Sequence, residues 1–149
     1  MLELSLGSIF AHRFVIEKRM QSGGMGLIFR SRDRQTNRAV ALKLLQREST
    51  SAEVDRFMTE ARTLSELRHP AIVSYIAHGI SSEGQAYLVM EWLEGEDLAQ
   101  RLRRMRMSVA EVVTLLNCVG AALQVAHQAG IVHRDIKPSN LFLRNGQID

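Results

Sequence analysis

The sequence predicts an α+β fold, and three observations predict it. Short β-rich runs alternate with turn residues through the first half, one amphipathic helix interrupts them, and after Glu91 the composition turns helical, leading to a long stretch that is apolar on nearly every side. The 149 residues suit one domain. Apolar residues make up 46% and charged residues 23%, with 10 glycines and 2 prolines, so disordered, collagen-like and mucin-like classes fall away. Nineteen Lys and Arg against sixteen Asp and Glu leave a net charge of +3. The pI of about 9.5 exaggerates that excess, because few groups titrate between carboxylates and lysines. No nucleic-acid partner follows from it.

The single cysteine, Cys118, can form neither an intramolecular disulfide nor a cysteine-based zinc site, and it reads as a small buried hydrophobe in a reducing, cytoplasmic setting. The N-terminus carries Glu3 and lacks a basic stretch before its apolar residues, so no signal peptide is expected. No run of ~18 consecutive apolar residues occurs, and the chain is expected to be soluble or peripheral, without a membrane span.

In chain order, Phe14 to Ile16, Leu27 to Arg30 and Ala39 to Leu44 read as an antiparallel meander. Ser49, Thr50 and Ser51 offer caps for a helix whose stripe is Val54, Phe57, Met58, Ala61 and Leu64, ending near Arg68. Strands Ile72 to Ala77 and Ala86 to Met90 follow, joined across Ser81, Ser82, Glu83 and Gly84. The result is a five-stranded sheet with one helix, against which Val40 and Leu42 are expected to pack. A connector, 91–97, leads to a short helix from about Leu98 to Arg106. Ser108 and Glu111 then form a capping-box pattern for a helix from Val109 to Ala129, stopped by Gly130. Its apolar surface predicts burial all round.

Four features carry chemistry. Ser22, Gly23, Gly24, Met25 and Gly26 lie between two strands, where residues lacking Cβ admit backbone N–H groups close to a polyphosphate; a glycine-rich hairpin is also a common structural device. Lys43 falls on the face of Ala41, where an ammonium needs an anionic partner unless it is an edge lysine in water. Glu60, at 100° per residue, falls within the arc of Phe57, Leu64 and Leu67, where a carboxylate is costly unless paired. Lys43 is its natural partner, the alternative being a glutamate that flanks the stripe in water. The fourth and most specific is the run from His133 through Arg134, Asp135, Ile136, Lys137, Pro138 and Ser139 to Asn140. An aspartate can accept a hydroxyl proton, a lysine can neutralise charge on a transferred phosphoryl group, and an amide oxygen can ligate Mg²⁺. His133 reads as a core residue beneath that loop. Arg101, Arg103, Arg104 and Arg106 read as a solvated face.

In content and order these motifs resemble the eukaryotic-type Ser/Thr protein kinases across residues 13–149, with the glycine run in the form familiar from bacterial members. The resemblance implies ATP and Mg²⁺ as cofactors and a protein Ser/Thr hydroxyl as acceptor. It implies a small lobe over 13–90, a hinge over 91–97 and the start of a large lobe over 98–149, with 1–12 an N-terminal extension. It assigns Ser22 to Gly26 to the phosphate loop, with Gln21 where the first loop glycine would stand, and Lys43 with Glu60 to the lysine–glutamate pair that orients ATP. Met90 becomes the gatekeeper, Glu91 to Leu93 the hinge facing adenine, and Ile28, Ala41 and Leu143 the walls of the adenine slot. Asp135 becomes the catalytic-loop aspartate, Lys137 the lysine of Ser/Thr-directed kinases, and Asn140 a Mg²⁺ ligand.

No DFG sequence occurs in the chain. In the family that aspartate holds the principal Mg²⁺, so transfer by this chain alone is expected to fail, and self-association through an uncovered Val109–Ala129 helix is expected. Two other readings are a non-catalytic, pseudokinase-like nucleotide-binding or interaction module and a small-molecule phosphotransferase. The lysine at 137 argues against the latter.

Overall fold

The computed structural model describes residues 4–20, 26–46, 48–146 and 148, and the chain divides into two units. The first unit comprises Met1–Glu66 and Ser74–Trp92, and the second Leu67–Val73 and Leu93–Asp149.

The first unit is a six-stranded antiparallel sheet with one helix. Its strands are β1 (Ile9–Phe10), β2 (Phe14–Arg19), β3 (Leu27–Asp33), β4 (Ala39–Leu44), β5 (Tyr75–Ile80) and β6 (Ala86–Glu91), in the order β1-β2-β3-β4-β6-β5. The sixth strand corrects the expected five. Positive φ at Gly7, Ala11 and His12 turns the chain back before Phe14, and Phe10 enters the core behind β2. The expected strand Ile72 to Ala77 is also displaced. Ile72 N–H closes a turn on His69 O at 2.9 Å, and pairing starts only at Tyr75, running on so that Ile80 faces Ala86 across the 81–84 turn.

Alternation along β4 divides two apolar clusters. Val40, Leu42 and Leu44 bury with Phe10, Phe14, Ile16, Phe29 and Val89 on one face. Helix α1 (Ser51–Glu66) instead packs through Phe57 and Ala61 with Ala86 and Leu88. The expectation that Val40 and Leu42 meet the helix is therefore wrong: the helix lies on the face that carries Lys43, which is paired directly with Leu88. Of the three candidate caps, Thr50 acts: Glu53 N–H donates to its Oγ1 at 3.3 Å, and Glu53 Oε2 accepts Thr50 N–H at 2.7 Å, a reciprocal capping box.

A bidentate ion pair ties β2's approach to the β3–β4 turn. Arg13 Nε and Nη2 donate to Asp33 Oδ1 and Oδ2, both at 2.8 Å, and Gln35 N–H and Thr36 Oγ1 complete the carboxylate's shell.

The second unit contains β7 (Gly95–Asp97), α2 (Leu98–Arg104), α3 (Val109–Gln128), a 3₁₀ turn at Pro138–Asn140 and β8 (Phe142–Arg144), with β7 pairing antiparallel to β8. Asp97 caps α2 by accepting Gln100 N–H at 2.8 Å, and α2 ends two residues short of the expected Arg106 because Met105 is extended. The Ser108–Glu111 capping box is present, and Gly130 stops α3 with φ +74°. Two of the four arginines on and after α2 are paired, Arg101 with Glu111 and Arg104 with Glu96. Expected burial of α3 is not met. Only Ala126 is buried, while Val109 is 81% and Leu116 64% exposed, and Cys118 is half-buried. By length and composition alone, with mean hydropathy 1.7, α3 is long and apolar enough to cross a membrane.

Candidate active site

In the first unit, register sets one row of side chains. Ile28 stands opposite Lys43 and Ala41 opposite Met90, so the antiparallel pairing puts all four on the face of the sheet that α1 covers in part. Met20, whose N–H donates to Ile28 O at 2.8 Å, extends the row to the end of β2. Nothing in its sequence neighbourhood distinguishes Met20; only the register does.

Lys43 Nζ lies 3.3 Å from Glu60 Oε1 and 5.6 Å from the centroid of the Phe57 ring. The expected pair therefore forms, but the burial argument behind it holds for one partner: the Lys43 side chain is 16% exposed and that of Glu60 53%. Glu60 sits at a wet rim, because its position flanks the stripe more than it enters it. The pair opens onto a shallow groove whose lining includes Gln46, Ser49 and Arg56.

Of the glycine-loop candidates, Ser22, Gly23, Gly24 and Met25 lie outside the described residues. Gly26 is described, and it has φ +151°. A Cβ there would stand 2.3 Å from Leu44 O, so only glycine allows β3 to begin this close to the end of β4. At the end of β6, Glu91 donates its N–H to Ser74 O at 2.9 Å and accepts Ser74 N–H on Oε1 at 2.7 Å.

In the second unit, residues 131–137 form an irregular loop that runs into the 3₁₀ turn, where Asn140 N–H donates to Lys137 O at 2.9 Å. That turn carries the Asn140 side chain back onto Asp135: Nδ2 donates to Asp135 O at 2.8 Å and to Oδ2 at 2.9 Å. Lys137 Nζ lies 2.9 Å from the same Oδ2. The lysine, and after it the amide, hold the Asp135 carboxyl below the usual carboxylate range, so it is an anion at neutral pH. Both donors use Oδ2, and the Asp135 side chain is 58% exposed. Arg134 is left-handed at φ +61°, a conformation disfavoured for a side chain of this size, and Asp135 N–H donates to His133 Nδ1 at 3.2 Å across it. His133 is exposed, contrary to the core placement expected, and supports the loop through this bond. Leu143 is buried in β8, opposite Glu96, and Leu93 is half-buried.

Because Asn140 turns its nitrogen to Asp135, Oδ1 is the end left for a cation, a hard oxygen of the kind Mg²⁺ takes alongside phosphate oxygens and water. Among the described residues no group of three His, Cys, Asp or Glu is placed to hold a metal.

The fold is that of the protein kinase family. Residues 14–148 match the protein kinase domain family, and the chain belongs to it. It is similar to the serine/threonine-protein kinase PknA of Mycobacterium tuberculosis, 39% identical over 96% of this chain and 35% of the relative. It is likewise similar to the serine/threonine-protein kinase pkn3 of Myxococcus xanthus, 36% identical over 93% of this chain and 26% of the relative. Among solved structures, the kinase domain of M. tuberculosis PknI superposes with a TM-score of 0.84 at 28% identity, over 97% of this chain and 59% of that one. The chain thus spans about a third of the length of PknA.

Proposed function

We propose that this chain carries the nucleotide-orienting and catalytic-loop residues of an ATP-dependent protein Ser/Thr kinase, with 13–90 as the small lobe, 91–97 as the hinge and 98–149 as the beginning of the large lobe. The observation that carries the reading is the convergence of Lys137 and Asn140 on Asp135 Oδ2, which leaves Oδ1 to accept. The acceptor Ser/Thr hydroxyl would donate to Asp135 Oδ1 and pass its proton there as its oxygen bonds to the γ-phosphorus and ADP leaves. Lys137, 2.9 Å from that carboxylate, would neutralise charge on the transferred group. Lys43, steadied by Glu60, would hold phosphate oxygens, and the Ser22 to Gly26 loop would cover them.

Ile28, Ala41, Met90 and Leu143 would wall the adenine slot, with Glu91 and Leu93 offering backbone groups to the base. Asn140 Oδ1 would ligate Mg²⁺, which when bound offsets the charge of the phosphates. These residues include no second acidic ligand of the DFG type. Assayed by itself, the 149-residue polypeptide is therefore expected to bind nucleotide without transferring phosphate, as a binding module does. The single cysteine supports action in a reducing cytoplasm.

The test is direct. The protein isolated from its host with an antibody against this segment should transfer labelled phosphate from ATP to serine or threonine in a panel of proteins, and the 149-residue polypeptide should bind ATP by calorimetry. Transfer only to small alcohols or aminoglycosides, or no ATP binding by either form, would overturn the proposal.

A further inference from the structure

The row that carries Ile28, Ala41 and Met90 ends in a polar cluster that no step above uses. The register of β2 on β3 shifts between Ile16 and Lys18, and the bulge leaves Glu17 as the extra residue, turned toward two arginines two positions apart on β3. Glu17 Oε2 accepts from Arg30 Nη1, and Glu17 Oε1 lies 2.7 Å from Arg32 Nη2. Thus anchored, Arg30 reaches across the sheet: its backbone pairs with Ala41, and its guanidinium carbon lies 5.6 Å from the centroid of the Trp92 ring. Trp92 follows Glu91 immediately and is the last residue of the first unit. A guanidinium over an indole face is an attractive contact, and here its lysine or apolar substitutes lack the planar fork.

We infer that Arg30, held by Glu17, is a positioning residue for adenine recognition, acting through Trp92 to fix the backbone that follows Met90. The inference rests on the nucleotide reading proposed above. The chain has one tryptophan, so its fluorescence reports this position alone.

The experiment compares the full chain with Arg30→Leu, Arg30→Lys and Glu17→Gln, using adenosine and inorganic tripolyphosphate as separate probes in calorimetry and recording tryptophan emission with each. Arg30→Leu should shift the emission of the free protein and weaken adenosine binding about two- to fivefold, the size of a partly exposed cation–π contact, with tripolyphosphate binding unchanged. Arg30→Lys and Glu17→Gln should fall between it and the parent. Unchanged adenosine binding in Arg30→Leu, or equal loss of both probes in all three variants, overturns the positioning role and leaves the kinase reading standing. A parent chain that binds tripolyphosphate but not adenosine overturns the nucleotide reading itself, and this inference with it.

Discussion

Asp33 and Arg13 make the most fully satisfied ionic contact in the first unit: two parallel 2.8 Å hydrogen bonds onto a carboxylate that is 1% exposed. The Arg13 donors, with help from Gln35 N–H and Thr36, hold the Asp33 carboxyl far below the usual carboxylate range. A depressed native value means the stability contributed is fully present above the ordinary range near 4 and is lost as pH falls through the native value. Asp33→Asn should therefore lower stability at pH 7 by about 3 kcal/mol, because it strands Arg13, and the difference from the parent should narrow under strongly acidic conditions. Denaturant unfolding of both proteins across pH checks this; a deficit that stays constant down to pH 2 would contradict it.

Lys43→Met should separate binding from stability. The pair with Glu60 is half wet, so its loss should change unfolding free energy by under about 1 kcal/mol. Loss of a charge-assisted contact to phosphate oxygens should weaken ATP binding at least about tenfold. Calorimetry beside thermal melts distinguishes the two. A variant that melts far lower yet binds ATP normally would remove Lys43 from the site.

Gly26→Ala forces a Cβ to within 2.3 Å of the Leu44 carbonyl. Because the obstacle is backbone, β3 and β4 must separate locally, at a cost of about 2–3 kcal/mol. A melting temperature equal to the parent's would show that the strands do not approach so closely there.

Lys137→Ala removes the largest influence on Asp135. Its carboxyl should then titrate at higher pH than in the parent, toward the ordinary range, as followed by carbon NMR of the labelled side chain. An unchanged midpoint would mean that the 2.9 Å contact is not kept in solution.

Exposed Val113 and Leu116 on α3 should make the 149-residue polypeptide associate at high concentration, and Val113→Ser with Leu116→Gln should reduce that association. Light scattering decides; a parent that stays monomeric would refute the expectation.

Much of this was legible in local pattern. The Ser108 and Glu111 pair specified the start of α3, and Gly130 its end, because a cap is written in residues three or four positions apart. Lys43 and Glu60 are legible as partners across seventeen positions, although burial calls for an opposite charge only at Lys43, the Glu60 side chain being 53% exposed. Less visible were features set by register. The bulge at Glu17, the alignment of Met20 with Ile28 and the choice of which β4 face meets the helix depend on which strands pair and how they are offset. The clamp between Arg13 and Asp33 was hidden likewise, as two unremarked charges in turn-like segments. Burial of α3 is illegible for another reason: hydropathy states what a helix would gain from a cover, not whether one is present.

The pairing of β7 with β8 joins residues 95–97 to 142–144 and so encloses, in sequence, α2, α3 and the irregular 131–137 loop. In the first unit most strands pair with the strand next to them in sequence, and little chain entropy is lost in closing each contact. The order of synthesis then matters. The sheet can be complete while the second unit is still waiting for residue 142, and β7 finds its partner only when that long loop shuts. Folding would proceed with the six-stranded sheet early and the closure of β7 on β8 last.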